Sequence, residues 1–130
     1  VSGNGSEPAC AYDEGSATAV NVSNYGFVTA SNVSQMKAAL AVQPLAVSIE
    51  ADKYVFQAYQ SGVLDSTSCG TSLDHAVLTV GWGTESGQDY WLVKNSWNTT
   101  WGDQGYIKLG RTSTDGICGV QIDPNQPTTN

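Results

Sequence analysis

The sequence predicts one α+β domain, a mostly antiparallel, barrel-like sheet with a single helix packed on it. Two observations carry that reading. Short β-branched, aliphatic or aromatic runs recur at 45–49, 76–80, 90–93 and 106–109, separated by turn residues. Only one stretch, Val33 to Val42, shows helical spacing of its apolar residues. At 130 residues the chain is the size of one domain and long enough to bury a core.

Taken in order, residues 1–24 are rich in Gly, Ser, Asn and Ala and read as a loop-rich lead-in. The domain proper is placed at 25–123. In the helix, Val33, Met36 and Leu40 share a face, Ser31 or Asn32 can cap it, and Pro44 ends it. Along 45–49, Leu45, Val47 and Ile49 point one way and the small Ala46 and Ser48 the other, which leaves room for something beside that strand. A helical turn is expected around Lys53 to Tyr59, and a last strand at Tyr106 to Leu109. "PNQPTTN", residues 124–130, reads as a loose tail.

Between them lies "LDHAVLTVGWGTESGQDYWLVKNSW", residues 73–97, which reads as a β-hairpin. A turn centred on Glu85 places His75, the chain's one histidine, directly opposite Asn95. Opposed residues have Cβ atoms about 4.5–5.5 Å apart, close enough for an amide oxygen to accept from an imidazole N–H. Such a bond fixes tautomer and ring direction, and leaves the second ring nitrogen to exchange a proton with another group.

Charge narrows the function classes. Twelve acidic and five basic residues give a formal charge of −7, and no Lys or Arg precedes Lys37, so a nucleic-acid partner is not expected. No apolar run approaches the roughly 18 residues that span a bilayer, and the start has no signal-peptide pattern, so the chain reads as soluble and as processed or cut. Glycosylation acceptor patterns stand at Asn4, Asn21, Asn32 and Asn98, compatible with a secretory route. A sugar on Asn32 would compete with its capping role. The three cysteines leave one over. Cys69 and Cys118, both flanked by glycine, are expected to staple two loops. Cys10 then has either a buried free thiol or a partner in a segment absent from this chain.

"SLDHAVLTVGWG", "YWLVKNSWNTTWGDQGYIKL" and "GICGV", in this order, resemble the C-terminal half of papain-like (cathepsin-like) cysteine proteases, from about Cys10 to Asp123. The resemblance implies the β-barrel-like right domain of a papain-like fold, without its N-terminal helical domain. It implies a catalytic His75 oriented by Asn95, and a nucleophilic cysteine supplied by that N-terminal half, whose link to this chain is expected through Cys10. In papain itself the thiol paired with histidine has a pKa of about 3–4. Trp97 would cover the His75–Asn95 bond from water, and Trp101 would wall the cleft on the leaving-group side. Ser48, Leu73, Ala76 and Asp123 would line the pocket for the second substrate residue upstream of the cut. An acid at Asp123 would then admit Arg beside Leu, Val or Phe, unless it turns to solvent.

The resemblance further implies peptide or protein substrates, protein inhibitors as possible partners, production as a zymogen, and a secreted or lysosome-like setting. It implies no cofactor and no metal; Cys69 and Cys118 lack the further ligands a metal site needs. Asn98 departs from the family, which usually has Gly there, and no cysteine lies in a "CGSCW"-like context. A competing reading is a non-proteolytic homologue, silicatein-like or an inactive matrix-type protein, with the nucleophile replaced. A third is a free-standing β module that binds without cutting. Asp74, next to His75 on a strand, points to the opposite face and reads as an electrostatic modulator at the cleft edge. Trp82 and Trp91 read as core, and Glu85 and Asp89 as a solvated turn.

Overall fold

The computed structural model describes residues 9–16 and 20–129. Its strands are β1 (Val22–Phe27), β2 (Leu45–Ile49), β3 (Val63–Leu64), β4 (His75–Glu85), β5 (Gln88–Lys94), β6 (Tyr106–Gly110) and β7 (Pro124–Thr129). They form one mixed sheet in the order β1-β7-β2-β4-β5-β6-β3, antiparallel throughout except where β3 pairs with β6. The helices are α1 (Val33–Leu40) and the single turn α2 (Tyr54–Gln57).

Alternation explains the faces. Leu45, Val47 and Ile49 are buried on β2 while Ala46 is exposed and Ser48 half-buried. α1 starts at Asn32, whose side-chain oxygen accepts from the Gln35 N–H at 3.0 Å, and turns Met36 and Leu40 into the core. It ends two residues before Val42, which is left exposed. Met36, Leu45, Ile49, Phe56, Trp91, Ile107 and Leu109 are completely buried. Each such side chain contributes about 1.5–3 kcal/mol. Gln121 is the polar exception: its amide accepts from Trp91 Nε1 and the Thr112 N–H and donates to the carbonyls of Thr112 and Thr114, so nothing in it is left unpaired. Cys69 and Cys118 are bonded to each other across a sequence separation of 49, joining the loop before β4 to the turn before β7.

Four expectations need correction. The tail expected to be loose is β7, which lies between β1 and β2. Its prolines cost it no pairing because their carbonyls do the work: Pro124 O accepts from the Val28 N–H and Pro127 O from Gln43 Nε2. The lead-in is not loop up to residue 24, since β1 begins at Val22 once β7 is there to pair with it; residues 1–8 and 17–19, including the Asn4 pattern, lie outside the described residues. Trp82 is not core but 42% exposed. It pairs with Trp91, yet the Gln121 loop covers only Trp91, and Trp82 has Lys37 Nζ at 5.9 Å over its ring.

The fourth correction concerns the hairpin. Glu85 pairs with Gln88, so the turn is the two residues Ser86 and Gly87, not a turn centred on Glu85. Their φ values of 50° and 80° are those a tight type I′ turn requires. A bulge at Val80, between the Thr79 and Gly81 pairings, then shifts the register by one residue. Continued to its open end, the ladder sets His75 opposite Trp97, with Asn95 as a diagonal neighbour. The turn is also less solvated than expected, because Asp89 pairs with Arg111 and Glu85 with Lys108.

Candidate active site

β4 begins at His75 because one backbone and one side-chain hydrogen bond hold its lead-in to the end of β2. The Asp74 N–H donates to Ile49 O at 2.9 Å, and Asp74 Oδ1 accepts from the Ala51 N–H at 2.8 Å. One residue earlier in space, the buried Glu50 accepts from the Ser72 N–H at 2.5 Å and pairs with Lys53 at 2.8 Å. The Lys53 ammonium, first, and the Ser72 N–H hold this carboxyl below its ordinary range. Gly70, with φ of 79°, lets the loop pass: a Cβ there would lie 2.2 Å from Glu50 Oε2. Sequence reasoning missed Glu50. Its only signal was an acid three residues before Lys53, common on any surface.

His75 Nε2 lies 2.9 Å from Asn95 Oδ1. The Ser96 N–H donates to the same oxygen at 2.7 Å, which identifies that atom as the amide oxygen. Since it can only accept, Nε2 carries the proton and Nδ1 is the free nitrogen. Asn95 is itself 7% exposed and fixed by its N–H to Gly105 O.

Trp97 stacks on the imidazole, with ring centroids 5.1 Å apart and planes 30° from parallel. Behind it Phe56 and Trp101 pack edge-on at 5.5 and 5.4 Å, and Trp101 Nε1 donates to Gln57 O at 2.9 Å. This aromatic group sets one wall of a recess lined by Ala51, Asp52, Gln57, Asp74, His75 and Trp97. Water is kept from one side of the His75–Asn95 bond. Asp52, paired with Lys53 at 3.0 Å, and Asp74 bring two carboxylates to the rim of the recess.

The expected pocket residues fall in two places. Ser48 and Ala76 are direct cross-strand partners. Asp123 is half-buried and turned to Ser48, whose Oγ donates to its Oδ2 at 3.2 Å, while Asn125 Nδ2 donates to its Oδ1 at 3.1 Å. Leu73 sits beyond them over Gly119 and Ile122, and is 37% exposed. Cys10 is exposed and, among the described residues, a free thiol, so it is not the buried thiol of the simpler expectation. Among the described residues no group of His, Cys, Asp and Glu has metal-binding geometry, and no helix is long and apolar enough to cross a membrane.

Comparison with known proteins extends this geometry. The profile described as papain family cysteine protease matches residues 3–128. The chain is 42% identical over 128 residues to cysteine proteinase RD21A of Arabidopsis thaliana, covering 97% of this chain and 28% of that protein. It is 47% identical over 111 residues to the probable cysteine protease RDL2 of the same plant, covering 84% of this chain and 30% of the other. Among solved structures, bromelain protease from Ananas comosus in complex with the E64 inhibitor superposes with a TM-score of 0.76 at 45% identity, over 82% of this chain and 50% of that one. Digestive procathepsin L2 from Tenebrio molitor larval midgut gives 0.82 at 39% identity, over 92% and 38%. The chain thus spans about a third or less of the length of the curated relatives it matches.

Proposed function

Because the chain belongs to the papain family of cysteine proteases, we propose that it supplies the histidine–asparagine side of an endopeptidase site whose thiolate comes from an N-terminal half outside this sequence. The observation that carries this reading is the His75 Nε2 to Asn95 Oδ1 bond at 2.9 Å beneath Trp97, which leaves Nδ1 facing away from Asn95.

The chemistry runs through Nδ1. With Nε2 held, Nδ1 takes the thiol proton and the imidazolium stabilises the thiolate beside it. The thiolate attacks the peptide carbonyl carbon. When the C–N bond breaks, Nδ1–H protonates the departing amine and a thioester remains. Water, losing its proton to Nδ1, then releases the acid and restores the thiol. Asn95 positions the ring and Trp97 shields the bond. Cys10 ties the two halves by a disulfide, and the setting is secreted or vacuole-like.

Ser48, Ala76, Leu73 and Asp123 receive the second residue upstream of the cut, with Asp123 as its polar end. Peptide and protein substrates enter past Trp101, which walls the leaving-group side.

The test is labelling of the full-length enzyme with an epoxide thiol trap, followed by peptide mapping. One label on a cysteine of the N-terminal half, abolished in His75→Ala, is the expected result. A folded enzyme that takes no label, or that has another residue facing His75, would overturn the proposal.

A further inference from the structure

The sequence Asn98-Thr99-Thr100 opens the turn directly after Trp97, and all three residues are exposed. Asn98 has φ of 72°, the left-handed region that Asn tolerates better than other residues with a side chain. The turn closes with the Trp101 N–H donating to Asn98 O at 3.3 Å. Its amide is split in its loyalties. Oδ1 accepts from the Thr99 N–H at 2.6 Å and from Thr99 Oγ1 at 3.3 Å, while Nδ2 has no acceptor among the described residues. The atom that glycosylation modifies is therefore, on an exposed residue, the one not engaged by the fold among the described residues.

Asn32, by contrast, uses its side chain to cap α1, and its pattern continues into the first helical turn, where the chain is held by Met36 and Gln35. A bulky modification suits an exposed turn, not a cap. Of the patterns within the described residues, Asn98 is also the one next to the recess. It is bonded to Trp97, which stacks on His75, and its turn leads into Trp101.

We infer that Asn98 carries an N-linked glycan, and that this glycan stands over the leaving-group side of the His75 recess and screens out bulky substrates there. The screening part rests on the protease reading above; the modification does not. In the transfer, Nδ2 attacks the anomeric carbon of an oligosaccharide carried on a lipid pyrophosphate. The N–C bond forms, the C–O bond to pyrophosphate breaks with its electron pair, and Nδ2 gives up one proton to the transferase. The glycan exceeds a tryptophan side chain many times in volume and starts one residue from Trp97. Short peptides with a small leaving group pass beneath it, while folded proteins meet it first.

The full-length protein, secreted from a eukaryotic host, is compared with its Thr100→Ala variant, which removes the acceptor pattern and keeps Asn98 in its left-handed turn. Enzymatic removal of N-glycans in ¹⁸O-water should convert Asn98 to labelled Asp in the parent and leave Asn98 unlabelled in the variant. Unmodified Asn98 throughout the parent overturns the inference. In kinetics, Thr100→Ala should leave kcat/KM on a short peptide with a small reporter leaving group within about twofold, and raise it about tenfold on a folded protein substrate. A glycan found with that ratio unchanged overturns the screening. A glycosylated enzyme that cuts neither substrate sinks the protease reading and the screening together, and leaves the modification site established.

Discussion

His75 and Trp97 are stacked 5.1 Å apart at 30°, and the hydrogen bond from His75 to Asn95 lies under that stack. The ring is thus held at an atom and on a face. Removing either constraint should affect the chemical step before it affects binding.

Asn95→Ala frees the ring to rotate. Turnover on a short peptide should fall about tenfold to a hundredfold with KM nearly unchanged, because an orientation is lost and no substrate contact is. A raised KM with kcat intact would show that Asn95 contacts substrate instead.

Trp97→Leu keeps an apolar side chain but removes the flat cover. It should lower kcat by about tenfold while Trp97→Phe, which can still stack, retains most of it. Thermal unfolding of both variants separates this from loss of packing on Phe56, which sits 5.5 Å from the Trp97 ring.

Asp123 receives hydrogen bonds from Ser48 and Asn125, which hold its carboxylate beside the small face of β2 where the proposed pocket ends. Arg should be accepted beside Phe at the second upstream position, and Asp123→Ala should lower the Arg-to-Phe ratio of specificity constants about tenfold. An unchanged ratio would remove Asp123 from the pocket.

Glu50 adds an acid-sensitive brace behind His75. Its carboxyl is held below its ordinary value of 4.5, first by Lys53 and then by the Ser72 N–H. Its contribution is fully present above that value and is lost as pH falls through the depressed one, where the folded state must also take the proton. Tm measured against pH should therefore decline less steeply in acid for Glu50→Gln than for the parent. Parallel curves would contradict the brace.

Cys69→Ala with Cys118→Ala should cost about 2–4 kcal/mol of stability, since the loop they close is long. Peptide mapping of the oxidised full-length protein should find Cys69 with Cys118, and Cys10 with a cysteine of the N-terminal half.

What the sequence determined by itself was whatever neighbours along the chain can encode. Alternation set the buried face of β2, Asn32 set the start of α1, and glycine-flanked Cys69 and Cys118 with an odd total set the staple. His75 and Asn95 were legible as a pair because the hairpin is local, although the expected direct opposition is a diagonal. Tertiary structure decided the rest. The Val80 bulge set the register; Gly81 beside it is the one hint, and a glycine inside a strand marks a close backbone approach as readily as a bulge. β7 exists because β1 and β2 offer donors to its carbonyls, and backbone carbonyls are the same whatever side chain they carry. The parallel β3 was hidden because two residues are too few to show an alternating pattern. Asp123 took its role from Ser48, 75 positions away, and Glu50, beside its local partner Lys53, was completed by Ser72, 22 positions away; distances of that kind are fixed only when the sheet assembles.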